Sequence, residues 1–243
     1  RKALDGLDLE IEKGSIFGLV GSNGAGKTTT MSILAGITGR DKGTVSVFGN
    51  KKFNPSSSPG ILTLLPQDSQ LPIYARVRQQ LMFYGELQGL KGKDLMEEVD
   101  RVIEWVHLSD RANSKMKSLS HGMKRRFMVA QAFLGSPKII LLDEPLSGLD
   151  PKEVVNIRDI IRTRRGNQTI VVSSHNLHEI ERMCDHVAFM EKGKRTRQDT
   201  IRSITGRHDR IRYFLADQNP AVDDLRGKFP GPELRIEREN LPD

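Results

Sequence analysis

Ile16-Phe17-Gly18-Leu19-Val20-Gly21-Ser22-Asn23-Gly24-Ala25-Gly26-Lys27-Thr28 is the stretch that decides the architecture. Its first five residues form a short continuous apolar run, the pattern of a strand buried on both faces. From Gly21 to Thr28 the spacing is that of a phosphate loop: glycine, four residues, glycine, lysine, then a hydroxyl residue. Such a loop needs a strand before it and a helix after it, and both are expected here. Its glycines let the backbone wrap a phosphate chain. Successive N–H groups of Gly21, Ser22, Asn23, Gly24, Ala25 and Gly26, with the positive end of the next helix, then face the anion. Lys27 is placed to reach the β- and γ-phosphates and the Thr28 hydroxyl to hold Mg²⁺, with Thr29 completing the binding set. The motif by itself establishes nucleotide binding and nothing narrower.

Outward from that loop the hydrophobic period changes several times. Leu7 to Ile11 alternates apolar and polar residues and is expected to be a strand, with Lys13-Gly14 as the turn of a hairpin. Thr44 to Phe48 alternates in the same way before Gly49-Asn50, and Ile61 to Leu65 makes a further apolar strand ending at Pro66-Gln67. From about Pro72 to Lys117 the period is helical. Leu95, Val99, Val102, Ile103 and Val106 fall on one face, and Asp94 with Glu97 is expected to cap that helix. Lys138 to Leu142 and Thr169 to Val172 return to the buried-strand pattern, separated by a helix through Val154, Ile157, Ile160 and Ile161. His186 to Met190 is another strand, followed by a polar, basic run to about Arg207. Strands alternating with helices predict a mainly parallel sheet covered on both faces. Beyond Arg207, two strands (210–215 and 234–236) around a helix holding Val222, Leu225 and Phe229 make a small appended α/β unit.

The chain has 243 residues, 28% charged and 37% hydrophobic, with 38 Lys and Arg against 31 Asp and Glu, a net charge of +7. That composition excludes wholesale disorder, and no apolar run approaches the ~20 residues a spanning helix needs. One cysteine, Cys184, allows no internal disulfide and no cysteine metal cluster, which fits a reducing compartment. The chain opens on Arg1 with neither an initiator Met nor a secretory leader, so a piece of something longer is expected. The basic clusters, Lys124-Arg125-Arg126, Arg162 with Arg164-Arg165, and Lys192 to Arg197, are short and read as solvated faces or helix ends.

A second chemical element is Ile139-Ile140-Leu141-Leu142-Asp143-Glu144-Pro145, a buried strand that delivers two carboxylates at its C-terminal end. Ligands of open α/β sheets bind at such ends. Asp143 suits Mg²⁺, directly or through water, and Glu144 is free to point toward a water attacking the γ-phosphate. Ser120 is a good N-cap residue for a helix with Met123, Phe127, Ala130, Gln131 and Leu134 on one face. It makes a second anion-facing helix end, available to a different nucleotide.

Leu119-Ser120-His121-Gly122-Met123 resembles the signature sequence of ATP-binding cassette (ABC) ATPases. Gln67, Ser147-Gly148-Leu149-Asp150 and Ser173-Ser174-His175 stand in the matching order around the two nucleotide motifs. The resemblance covers about residues 1–205. It implies an α/β fold: a P-loop NTPase core of ABC ATPase type, with an antiparallel β subdomain and a helical subdomain at about 72–135. The ATPase domain is expected over 1–206 and the appendage over 207–243. It further implies ATP and Mg²⁺, with Glu144, His175 and Lys27 as catalytic residues and Thr28, Gln67 and Asp143 at the metal. His175 would contact the γ-phosphate, while Gln67 would couple the metal to a membrane partner. Two such domains, identical or different, would sit head to tail, with Ser120 and Gly122 of one facing the other's nucleotide and Asp150 bridging the pair. Separate transmembrane permease subunits and a peripheral place on the cytoplasmic face of the membrane follow from the same likeness.

Two departures stand out. His121 and Met123 replace the usual Gly and Gln, and Met followed by Lys124-Arg125-Arg126 looks like the exporter ATPases of drug, antibiotic or polysaccharide systems. No aromatic precedes Leu7 where the family stacks adenine, and no residue is assigned to that task. The rival readings are an ABC ATPase acting on DNA or ribosomes, supported only by net charge, and a catalytically silent ATP-binding regulator. Against the first, no heptad run lies between Lys27 and Asp143, so nucleic acid is not the expected partner. Against the second, Glu144 and His175 are both present.

Overall fold

The computed structural model describes residues 2–206. The apolar run opens the fold as β1 (Ile16–Val20), and the phosphate loop carries it into α1 (Lys27–Leu34). Next come β2 (Leu62–Leu65), then α2 (Val77–Leu87), α3 (Gly92–Trp105) and α4 (His121–Phe133). The chain returns to the sheet through β3 (Ile139–Leu142), α5 (Pro151–Arg162), β4 (Thr169–Ser174), α6 (Leu177–Glu181), β5 (His186–Glu191), β6 (Lys194–Thr200) and α7 (Ile201–Thr205). The six strands lie in the order β2-β3-β4-β1-β5-β6. All neighbours are parallel except β6, which runs antiparallel to β5. This is the mixed α/β fold that the alternation of periods predicts.

Successive side chains of a strand point to opposite faces, and the sheet uses this to fill two cores. Ile16 and Val20 of β1 join Ile140, Leu142, Ile170 and Val172 on one face, under α5 and the helices between β2 and β3. Phe17 and Leu19 join Leu141, Val171, Ala188 and Met190 on the opposite face, against Met31 of α1. Gly18 lies at the centre of β1, where a Cβ would come within 2.3 Å of Ile180 Cγ2 and 3.3 Å of Cys184 Sγ. Only glycine lets α6 approach the sheet this closely. Cys184 is buried there and free, and burial pushes its thiol pKa up.

Four local expectations change, and one unassigned run gains structure. Residues 7–11 form no ladder among the described residues. Leu7, Leu9 and Ile11 instead lie half-buried against the second core, and the Glu10 carbonyl accepts from Gln198 Nε2 at 2.6 Å. Residues 44–48 keep only a bridge between Val47 and Asn50. Alternation reports which face is covered, and a strand needs in addition a neighbouring backbone to pair with. The antiparallel part of the described fold is therefore carried mainly by β5 and β6.

Conversely, the polar run after Gly193, to which the residue pattern assigns no element, is β6 and α7. Its side chains are mostly exposed on an edge strand, so no apolar alternation marks it. The α3 start also differs: Lys91 is its N-cap, with no side-chain cap, and Glu97 instead pairs with Lys93 at 3.3 Å. The Lys124-Arg125-Arg126 cluster is no solvated face, since Arg125 and Arg126 are 5% and 9% exposed. The strands and helix expected within 210–236 lie outside the described residues.

Candidate active site

The strand register brings the chemistry together. β4 is flanked by β1 and β3, so the phosphate loop, the Asp143-Glu144 pair and His175 all emerge from the same C-terminal edge. Gly24 and Gly26 hold the loop with φ of 80° and 106°, values open to glycine and strained for other residues. Gly26 is the N-cap of α1 and offers no side chain to its first-turn N–H groups, which leaves them for a ligand. Ser22, Asn23, Gly24 and Thr28 are exposed, Gly21, Gly26 and Thr29 half-buried, and Ala25 is packed into the second core.

Lys27 is only 6% exposed. Its ammonium folds back on the loop, donating to the carbonyls of Gly21 at 2.7 Å and Ser22 at 3.4 Å, and lies 3.4 Å from Glu144 Oε1. The other Glu144 oxygen, Oε2, lies 3.0 Å from His175 Nδ1. Lys27, Glu144 and His175 thus form one connected group, with Glu144 5% exposed between a buried lysine and a histidine open to solvent. Asp143, 1% exposed, accepts from the Ser173 hydroxyl, and that same oxygen accepts from the Glu144 N–H at 2.8 Å. Ser173 therefore holds the Asp143 carboxylate and the backbone N–H of Glu144. It is a contributor that the residue pattern leaves unassigned, and its signal is a polar side chain 0% exposed inside an apolar strand.

Gln67 is exposed two residues beyond the end of β2. Ser120, Gly122 and Asp150 form a second group. Ser120 caps α4 as expected, accepting from the Met123 N–H at 3.2 Å. Asp150 caps α5, accepting from Lys152 and Glu153 N–H at 3.1 and 3.0 Å. Gly122 packs so tightly that a Cβ would fall 2.7 Å from Glu153 Cγ, while Arg126 Nε pairs with Glu153 Oε2 at 3.2 Å. Among the described residues no hydrogen bond or ion pair joins Ser120, Gly122 or Asp150 to the phosphate loop. Asn176 caps α6, accepting from His178 N–H at 3.0 Å, and Glu179 accepts from the Ser174 hydroxyl at 2.8 Å.

Residues 4–147 match the family described as ABC transporter. The chain belongs to the ABC transporter family. It is an ATP-binding subunit that carries the family's ATPase domain. It is 37% identical to an uncharacterized ABC transporter ATP-binding protein of Methanocaldococcus jannaschii, over 88% of this chain and 78% of that one. It is 34% identical to the Nod factor export ATP-binding protein I of Cupriavidus metallidurans, over 79% of this chain and 64% of that one. A dimeric ATP-binding cassette in a post-hydrolysis state bound to ADP and Pi has the same fold, with TM-score 0.73 and 20% identity over 82% of this chain and 91% of that one.

The residues of this ABC ATPase fit a nucleotide and its Mg²⁺. Uncapped first-turn N–H groups, a buried ammonium and glycines in left-handed conformations make the phosphate cradle. Glu144 Oε1 is buried with no hydrogen bond of its own, an unmet demand beside that cradle. Thr28 and Asp143 would offer the hard oxygen donors Mg²⁺ prefers. Two protein ligands suffice when phosphates and waters fill the rest of its octahedron.

Proposed function

We propose that this chain hydrolyses ATP to power solute export, as one half of an ATP-closed dimer. It would sit on the cytoplasmic face of the membrane beneath separate permease subunits. The observation that carries the reading is the Glu144 carboxylate held between His175 at 3.0 Å and Lys27 at 3.4 Å, at the mouth of the phosphate loop. A buried carboxylate so placed can take the proton of a water attacking the γ-phosphate. Lys27 exchanges its bonds to Gly21 and Ser22 for the β- and γ-phosphates. His175 orients Glu144 and reaches the γ-phosphate from its solvent side. Thr28, Asp143 and Gln67 hold Mg²⁺, which when bound neutralises phosphate charge. With Lys27 and His175 fixed before reaction begins, positioning and charge stabilisation supply most of the rate.

The second subunit enters because Ser120 and Gly122 form an anion-facing helix end without a link to the phosphate loop of their own chain. In the dimer they face the partner's nucleotide, with Asp150 between the subunits. Export is supported by Met123-Lys124-Arg125-Arg126 and by the Nod factor export relative. No helix among the described residues is long and apolar enough to cross a membrane, which fits separate permease subunits. The nucleic-acid reading loses ground, because two of the arginines that raised the net charge are buried in protein contacts.

Phosphate release from the purified chain, with ATP and Mg²⁺, tests the proposal beside a titration with fluorescent duplex DNA at low and high salt. Steady release without salt-dependent DNA binding is expected. ATP binding without release would favour the silent regulator, and tight, salt-sensitive DNA binding the nucleic-acid class.

A further inference from the structure

Arg125 is the fifth residue of α4, in the sequence just after the signature, and it is buried beneath the catalytic edge. Its Nε donates to the Pro145 carbonyl at 2.7 Å, and its Nη2 donates to the Glu144 carbonyl. Burying a guanidinium is costly unless its donors are used. Burial pushes its pKa down, opposed by the nearby charges of Asp143, Glu144 and Asp68. Both acceptors belong to the single turn that displays the Glu144 side chain.

That turn is held in an uncommon shape. Glu144 has φ of 48°, in the left-handed region, where a residue with a side chain persists only if its surroundings fix it. Its peptide groups are pinned from two directions: the N–H donates to Ser173 Oγ at 2.8 Å, and the carbonyl receives Arg125 and, at 3.2 Å, the Ser147 N–H. Ser173 belongs to β4 and Ser147 to the turn itself. Arg125 is thus the one side-chain hydrogen-bonding link, among the described residues, between the signature helix and this turn. The planar guanidinium fork reaches two successive carbonyls at once, which a single ammonium point charge cannot do in the same geometry.

We propose that Arg125 is a positioning residue for Glu144: its fork on the carbonyls of Glu144 and Pro145 keeps the left-handed turn that aims the carboxylate at His175 and Lys27. The proposal rests on the reading of Glu144 as the base. Without the fork, the Pro145 carbonyl loses its donor, the Glu144 carbonyl keeps only the Ser147 N–H, and the turn relaxes toward ordinary backbone angles. A displacement of about 1 Å at a reacting group costs on the order of a hundredfold in rate.

The test compares the parent chain with Arg125→Met and Arg125→Lys by amide hydrogen exchange and by ATP turnover kinetics. In Arg125→Met the amides of Glu144, Leu146 and Ser147 are expected to exchange at least about tenfold faster while β4 and β1 stay protected. The kcat is expected to fall at least about tenfold, with KM for ATP within about threefold of the parent. Arg125→Lys recovers part of the kcat through one carbonyl and leaves KM unchanged. If Arg125→Met fails to fold, the lysine variant carries the same test, with an intermediate loss confined to kcat and to the exchange of that turn. Unchanged exchange and kcat would overturn the proposal. So would faster exchange across the whole sheet with kcat and KM moving together, the mark of a purely structural arginine. If the parent itself turns over no ATP, the functional reading falls, and the exchange comparison still decides whether Arg125 holds the turn.

Discussion

Glu144→Gln is expected to lower single-turnover ATP hydrolysis by about 10²–10⁴-fold while leaving ATP affinity intact or slightly improved. The substitution preserves shape, and the two backbone contacts that fix the turn, the N–H to Ser173 and the carbonyl from Arg125, do not involve the side chain. What disappears is the negative charge between His175 and Lys27. Losing it removes the proton acceptor for the attacking water. It also frees Lys27 from a competing carboxylate at 3.4 Å, which is why affinity does not fall. Quench-flow measurement of product formed in one turnover, beside a binding titration with a fluorescent ATP analogue, separates the two effects. Equal turnover in variant and parent would remove Glu144 from the chemistry.

Lys27→Ala is expected to reverse that pattern, with ATP affinity and turnover both falling, turnover by about 10²–10³-fold. The ammonium is 6% exposed and bonded to the Gly21 carbonyl at 2.7 Å, so it waits inside the loop with most of its desolvation already met. Its removal takes a fixed positive charge from the place where phosphate charge must be balanced, and leaves Glu144 without its lysine partner. Equilibrium binding at several ATP concentrations, followed by turnover at saturation, checks both halves. Retained affinity would mean that the first-turn N–H groups of α1 bind the phosphates without Lys27.

Much of this was legible in the residues. Ile16 to Val20, Ile139 to Leu142 and Thr169 to Val172 are uninterrupted apolar runs because they are covered on both faces, and all three are strands of the parallel sheet. The Leu95, Val99, Val102, Ile103 and Val106 face is buried as its period requires. The cap made by a single side chain at Ser120 also read correctly. Harder to read was whatever depends on a distant partner. Leu7 to Ile11 has the pattern of a strand but no ladder, and β6 has a ladder without the pattern, because its partner covers its backbone and leaves its side chains in water.

At the site, Lys27, Asp143, Glu144 and His175 each stand in a short motif, and the register of β1, β4 and β3 explains why they belong at one edge. Arg125 was hidden for the opposite reason. In a row of three basic residues the ordinary expectation is solvent, and only the packing of α4 on β3 shows that two of them point inward. Buried arginines serve carbonyls and carboxylates that are remote in sequence, so no local spacing announces them.

The most direct measurement is the solution mass of Glu144→Gln by light scattering, with ATP and Mg²⁺ and again without nucleotide, beside the parent. A variant that doubles in mass only with ATP, and a parent that does so only until its ATP is spent, is the expected result. It would match a dimer that ATP closes and hydrolysis opens. A variant saturated with ATP that keeps the mass of one chain at every concentration tested would contradict the ATP-closed dimer.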